Sequence, residues 1–218
     1  MNEFDKSYKK DVSAVNKRRN FLKKSATGAV IVSLPAKSVW GACSVSGALS
    51  GNLSTNTDRH TCTMPYLNGG RSPGNWKKYS NNMHSTFTKL KTCKNNYGKN
   101  SSEYKTMESC YAESIEEVYQ HTLTLPSDLP SRTLTVSEAL ASNGSGDNNI
   151  YFHLAAVYLN TYFGFYSTYT EGAAAAQQAI SEVFLYWYIS KNSSSFSGIS
   201  ESELGYDEGS TDWSPVVC

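Results

Sequence analysis

The stretch from Ile150 to Tyr166 constrains the fold more than any other part of the chain. Wound as a helix, it places Ile150, Leu154, Val157, Tyr158 and Phe165 on one side and Phe152, Leu159, Tyr162 and Phe163 on the others. A helix apolar on every face must be covered on every face. With polar flanks and a length below a membrane span, its cover is protein. The expectation is a mainly α chain, a compact helical domain packed around one buried, aromatic-rich helix. Ala173 to Ser190 supplies a second helix, with Thr170 as the expected cap and Ala176, Ile180, Val183, Phe184, Trp187 and Tyr188 facing inward. Gln177, Gln178 and Glu182 argue against a membrane role for it.

Upstream, Met83, Phe87 and Leu90 share helical spacing up to about Cys93, and Tyr104, Met107, Tyr111, Ile115 and Val118 repeat the pattern after a loop spanning Lys94 to Ser102. The prolines at Leu125-Pro126 and Leu129-Pro130 force an extended connection. Thr135 and Glu138 have capping-box spacing and open a short helix through Ala141. Asn143 to Asn149 reads as a turn. These signals divide the chain into residues 1–42 as an export signal, 43–74 as an extended arm, 75–190 as the helical domain, and 191–218 as a Ser-rich acidic tail of irregular structure. A body of this size forms one domain.

The first segment carries Lys17-Arg18-Arg19-Asn20-Phe21-Leu22-Lys23, then an apolar run from Ala26 to Leu34, Pro35, and the small residues Gly41 and Ala42. This is the order of a charged region, an apolar region and a cleavage region. Through Arg18, Arg19, Phe21, Leu22 and Lys23 it resembles the twin-arginine export signal of bacteria. The resemblance implies that the body folds in the cytoplasm, crosses the membrane folded, and works in the periplasm, at the cell surface or outside the cell.

Residues 1–42 hold nine Lys/Arg and three Asp/Glu, so the remainder has eleven basic and sixteen acidic residues, a net charge of about −5. That balance argues against nucleic acid as a partner. All five cysteines follow residue 42, in a compartment where disulfides persist. Cys62, Cys93, Cys110 and Cys218 are disulfide candidates, and Cys93 and Cys110 are placed to tie their two helices together. Cys43, after Gly41-Ala42, either carries lipid, as the small-small-Cys ending of a lipoprotein signal would direct, or joins a further disulfide and leaves Cys218 spare. Contact with the membrane is then expected only through the export signal or that lipid.

Arg71-Ser72-Pro73-Gly74-Asn75-Trp76-Lys77-Lys78-Tyr79 combines a turn with aromatic rings beside cations, which makes Trp76 and Tyr79 a candidate binding platform. The stretch resembles a Pro-Gly-Tyr-Trp-Lys-Asn-His motif of exported and surface proteins of bacteria, in which a later helix carries Leu-Ala-Ala followed by Leu-Asn. Here the later counterpart is Leu154-Ala155-Ala156-Val157-Tyr158-Leu159-Asn160. Asn75, Lys78 and Tyr79 replace the motif's Tyr, Asn and His. The resemblance implies location and fold, and no established activity.

Chemistry has few footholds. His60 and Cys62, with Cys93 and Cys110, would make a four-ligand metal set, yet there is no Cys-x-x-Cys and no His-Glu-x-x-His, and separated cysteines in an oxidising space form disulfides instead. His153 reads as a satisfied core histidine, and His84 and His121 as residues exposed on helix faces or ends. Glu113, Glu116 and Glu117 near His121 are of the type that serves acid–base catalysis, but charges opposite an apolar stripe mark a solvated face. No Gly-x-Ser-x-Gly is present, the Gly144/Gly146 pair follows no strand, and Asp207, Glu208 and Asp212 fit no calcium loop. No catalytic residue and no cofactor is expected. The reading is a non-enzymatic exported structural or adhesion protein, a self-assembling subunit whose partners are itself or other surface components. The alternatives are an exported metal- or cofactor-binding enzyme built on His60, Cys62, Cys93 and Cys110, and a carbohydrate-binding module built on Trp76 and Tyr79.

Overall fold

Among the described residues helical structure begins at Pro73, whose fixed φ suits a first turn and whose missing N–H is no loss there. The computed structural model describes residues 64–127, 129, 131–142, 147–191, 194, 196–207 and 209–215. All of them belong to the unit Trp40–Cys218, one of two into which the chain divides, the other being Met1–Val39. The segment read as an export signal and most of the arm therefore lie outside the described residues, as do His60, Cys43, Cys62, Cys218, Gly144, Gly146 and Glu208.

The described part is mainly α, as expected. Helix α1 spans Pro73–Lys77, α2 Tyr79–Thr86, α3 Thr88–Tyr97 and α4 Ser102–Tyr119. Strand β1, Thr122–Leu123, pairs antiparallel with β2, Leu134–Thr135, in the register Thr122↔Thr135 and Leu123↔Leu134. Helices α5 (Val136–Ala141), α6 (Asp147–Tyr162) and α7 (Ala173–Ser190) follow. The Thr135/Glu138 capping box forms fully: Thr135 Oγ1 accepts from Glu138 N at 3.2 Å and the Glu138 carboxylate accepts from Thr135 N at 2.7 Å. Each satisfies an N–H that the first turn cannot pair internally. Helix α7 departs from expectation at its start, where Gly172, at φ 105°, takes the cap position in place of Thr170. Gly172 N donates to Tyr162 O at 3.0 Å and ties the start of α7 to the end of α6.

Helix α6 is the buried centre. From Leu154 to Leu159 no residue exceeds 1% exposure, and α7, α5, α1 and β1 pack around it. Covering it on all sides is what a helix without a polar face requires. Ala176, Ile180, Val183 and Phe184 of α7 are buried, while Trp187 and Tyr188 sit half-buried at its far end.

Two features were not expected. The helix through Met83, Phe87 and Leu90 is broken at Phe87, whose ψ of 123° is extended. The tail supplies the reason. Thr211 runs beside Phe87 as a parallel β-bridge, with Thr88 N donating to Thr211 O at 2.8 Å and Thr211 N donating to Thr86 O at 3.0 Å. A second bridge joins Tyr206 to Gly70, where Gly70 N donates to Gly205 O at 2.9 Å. The described tail is thus irregular in secondary structure but fixed as a strap. Leu204 is fully buried, and the Trp213 ring meets Phe163 at 4.4 Å, Phe87 at 5.6 Å and Tyr111 at 5.7 Å, with Tyr111 Oη donating to Trp213 O at 2.9 Å.

Candidate functional site

The sequence singles out the stretch around Trp76 and the later Leu-Asn, and the structure brings the two together. One turn of α1 after Pro73 swings the Trp76 indole into the core, where Nε1 donates to Asn160 Oδ1 at 2.9 Å. Asn160 stands in the last turn of α6 and is fully buried. Its Oδ1 also accepts from Arg71 N at 2.7 Å, and its Nδ2 donates to Arg71 O at 2.9 Å and to Tyr166 Oη at 3.1 Å. Tyr166 in turn donates to Leu204 O at 2.7 Å. Both donors and both lone pairs of the amide are therefore in use. The Asn160 side chain pairs with the Arg71 backbone as a strand neighbour would, and so fastens arm, α1, α6 and strap to one point.

This corrects the expectation of a stacking platform. Trp76 is 1% exposed, with Phe163 stacked at 5.5 Å and Phe165 edge-on at 5.6 Å, so neither face of the indole is open to a sugar. Tyr79 opens α2, and its side chain lies outside what is described.

Each described histidine has a partner. His121 follows α4, half-buried; its Nδ1 is 2.9 Å from Tyr158 Oη and its ring lies edge-on to Tyr162 at 5.6 Å. Burial pushes the Tyr158 hydroxyl up to about 12, with Tyr162 adding to the shift. His153 is a core histidine: Nδ1 lies 3.0 Å from Tyr206 Oη and the rings stack at 5.9 Å. Burial lowers its pKa, and Glu201 acts in the opposite sense. His84 is half-buried rather than exposed, 2.7 Å from Lys94 Nζ, and burial followed by Lys94 and Lys99 lowers its pKa. The pairs are separate. No group of three or more His, Cys, Asp or Glu among the described residues stands together to hold a metal ion.

The cysteines need a second correction. Cys93 lies on the buried side of α3 beside Leu90 as a free thiol, and is not bridged to Cys110. Cys110 is half-buried on α4 and is disulfide-bonded. Two sulfurs in such different states do not supply the proposed four-ligand set. Glu113, Glu116 and Glu117 are exposed on α4, and Glu113 accepts from Ser109 Oγ at 3.1 Å.

Sequence reasoning missed one uneven distribution of charge. The lysines of the body are concentrated on α1 to α3 and the first turn of α4, and Lys77, Lys78, Lys89, Lys91, Lys99 and Lys105 are exposed. Charge summed over the whole body hides this, whereas charge summed over 40-residue windows would have found it.

No helix among the described residues is long and apolar enough to cross a membrane. Comparison with protein-family models, with curated proteins and with solved structures finds no match to the chain.

Proposed function

We propose that the chain is an exported, non-enzymatic structural or adhesion protein of the cell surface or extracellular space, working as a self-assembling subunit. The observation that carries this reading is the closed hydrogen-bond set at Asn160. The residues of the surface-protein-like stretch, Trp76 and the Leu-Asn of α6, are spent on one another and on the Arg71 backbone. They act as framework, which leaves recognition to the outer surface. The segment around Arg18 and Arg19 supplies the route out of the cytoplasm, and the compartment accounts for a disulfide at Cys110.

The test is to express the full chain in a bacterium with a working twin-arginine translocase, fractionate the cells, and measure the native mass of the exported protein. Export lost in Arg18→Lys/Arg19→Lys, together with a native mass of several chains, is the expected result. Export independent of the arginines, or a monomer carrying stoichiometric metal, would overturn the reading.

A further inference from the structure

Of the five cysteines in the chain, Cys110 is disulfide-bonded and Cys93 is a free, buried thiol. The second sulfur of the bridge is therefore that of Cys43, Cys62 or Cys218. Cys110 stands half-buried on α4 next to Tyr111, and Tyr111 is where the strap comes to rest. The Tyr111 hydroxyl donates to Trp213 O at 2.9 Å and is hydrogen-bonded to Ser214, and the Trp213 ring meets the Tyr111 ring edge-on at 5.7 Å. The next residue, Pro215, is buried.

Chain length and direction separate the three candidates. Three residues lead from Pro215 to Cys218, a span of about 10 Å when extended, and bridged cysteines hold their Cα atoms about 5.5 Å apart. A strap that already touches the neighbour of Cys110 is thus one short segment away from it. The arm leads elsewhere. It runs parallel to the strap where Gly70 pairs with Tyr206, and before that point the Leu67 carbonyl lies directly against Gly205 and Tyr66 O accepts from Thr168 Oγ1 at 3.0 Å. Going back from Gly70 toward Met64 therefore follows the strap backwards, away from Trp213. Cys62 is joined to that end of the arm, and Cys43 precedes it by nineteen residues.

We propose that Cys110 is bridged to Cys218, which makes the strap a covalent clasp: the chain from the middle of α4 to the end of the strap becomes one closed loop, with the core plugs Leu204 and Trp213 held inside it. The bond forms by thiol–disulfide exchange. Cys110 and Cys218 together give up two protons and two electrons, one S–S bond forms between them, and the oxidant, itself a disulfide, is left as two thiols. The Phe87–Thr211 bridge and the Tyr111–Trp213 contacts bring the strap to α4 without any covalent link, so folding presents the pair before oxidation closes it. Cys93 does not compete, because a thiol buried beside Leu90 is withheld from exchange. The pairing stands apart from the subunit reading and shares with it only the compartment that supplies the oxidant.

Trypsin, cutting after Lys and Arg, places the five cysteines in five different peptides, residues 38–59, 60–71, 92–94, 106–132 and 192–218. The full chain is purified with its thiols reduced, oxidised in a glutathione redox buffer, alkylated in urea, digested without reduction and read by mass spectrometry. The expected result is peptide 106–132 joined to peptide 192–218, with Cys93 alkylated. Cys218→Ser should leave Cys110 open to alkylation and lower the thermal midpoint of the oxidised chain by several degrees, while Cys62→Ser should leave the joined pair intact. Peptide 106–132 joined to 60–71 or 38–59, a bond to a second copy seen as a dimer on a non-reducing gel, or Cys110 alkylated in the oxidised chain would each overturn the pairing. Joined peptides with an unchanged midpoint in Cys218→Ser would overturn the clasp. Oxidation takes place in the buffer, so failure of the export reading leaves this result untouched, and a different pairing leaves the export reading standing.

Discussion

Replacing Asn160 with alanine is the sharpest perturbation the structure offers. It removes no charge and little volume, yet it leaves Arg71 N–H, Arg71 C=O and the Trp76 indole N–H without their partner, all in the interior. A buried polar group left unsatisfied costs about 1–3 kcal/mol, so the three together come to about 3–6 kcal/mol once water entering the vacated space recovers part of the loss. Domains of this kind have a total stability of about 5–15 kcal/mol, so the variant should lose a large share of it. The assay is urea unfolding of the full chain followed by tryptophan fluorescence. Asn160→Asp separates the donor from the acceptor role. The carboxylate keeps both contacts at Oδ1 but turns an acceptor toward the Arg71 carbonyl, and burial raises its pKa. Its protonated form regains a donor, so this variant should gain stability relative to the unaltered chain as pH falls. A loss below about 1 kcal/mol for Asn160→Ala, within the range of an ordinary surface change, would refute the account of Asn160 as the fastening point.

Further outcomes follow from other parts of the fold. A Cβ at Gly70 would stand 2.4 Å from Tyr166 Cε1 and 2.5 Å from Asn160 Nδ2, so Gly70→Ala should lower the thermal midpoint by several degrees, while Gly209→Ala, with nothing within 4 Å, should not. Trp213→Ala should cost about 2–3 kcal/mol, less than a fully buried aromatic because the ring is half-buried, and Tyr111→Phe about 1 kcal/mol for its bond to Trp213 O, both read from urea midpoints. The pKa values of His153 and His84 are lowered on folding, so the unfolded chain takes up their protons first. Stability should be level above their ordinary value of 6.5 and decline as pH falls below it, and the decline should be shallower in His153→Gln. A midpoint that rises on acidification through this range would contradict the burial of both rings. Cys93 should resist a thiol reagent in the folded chain and react once urea is added, because its sulfur belongs to the core.

What was legible in the sequence was whatever neighbours in the chain decide. The capping box at Thr135, the residues 173–190 of α7 and the all-apolar α6 rest on spacing alone; the first two appear as read, while α6 starts earlier, at Asp147, and ends at Tyr162, before Phe163, Phe165 and Tyr166. The break at Phe87 did not show because its cause is Thr211, more than a hundred residues away, and the local period through Met83 and Leu90 is unbroken. Trp76 looked like an exposed platform because Pro-Gly suggests a turn. The proline instead starts a helix, which aims the indole inward toward an amide 84 residues later. Helical spacing placed Cys93 and Cys110 near each other but could not tell that Cys93 faces the core with Leu90. The Ser-rich, acidic composition of the tail concealed the anchors Leu204, Tyr206 and Trp213, three residues too widely spaced to register as a pattern.

The strap also sets an order of events in the life of the chain. Leu204 and Trp213 fill space among residues made much earlier, at Leu67, Phe87, Tyr111 and Phe163. A nascent chain that has already released every helix still lacks these plugs, and its aromatic centre stays open until the strap leaves the ribosome. Completion of the core thus waits on the strap and not on the last helix.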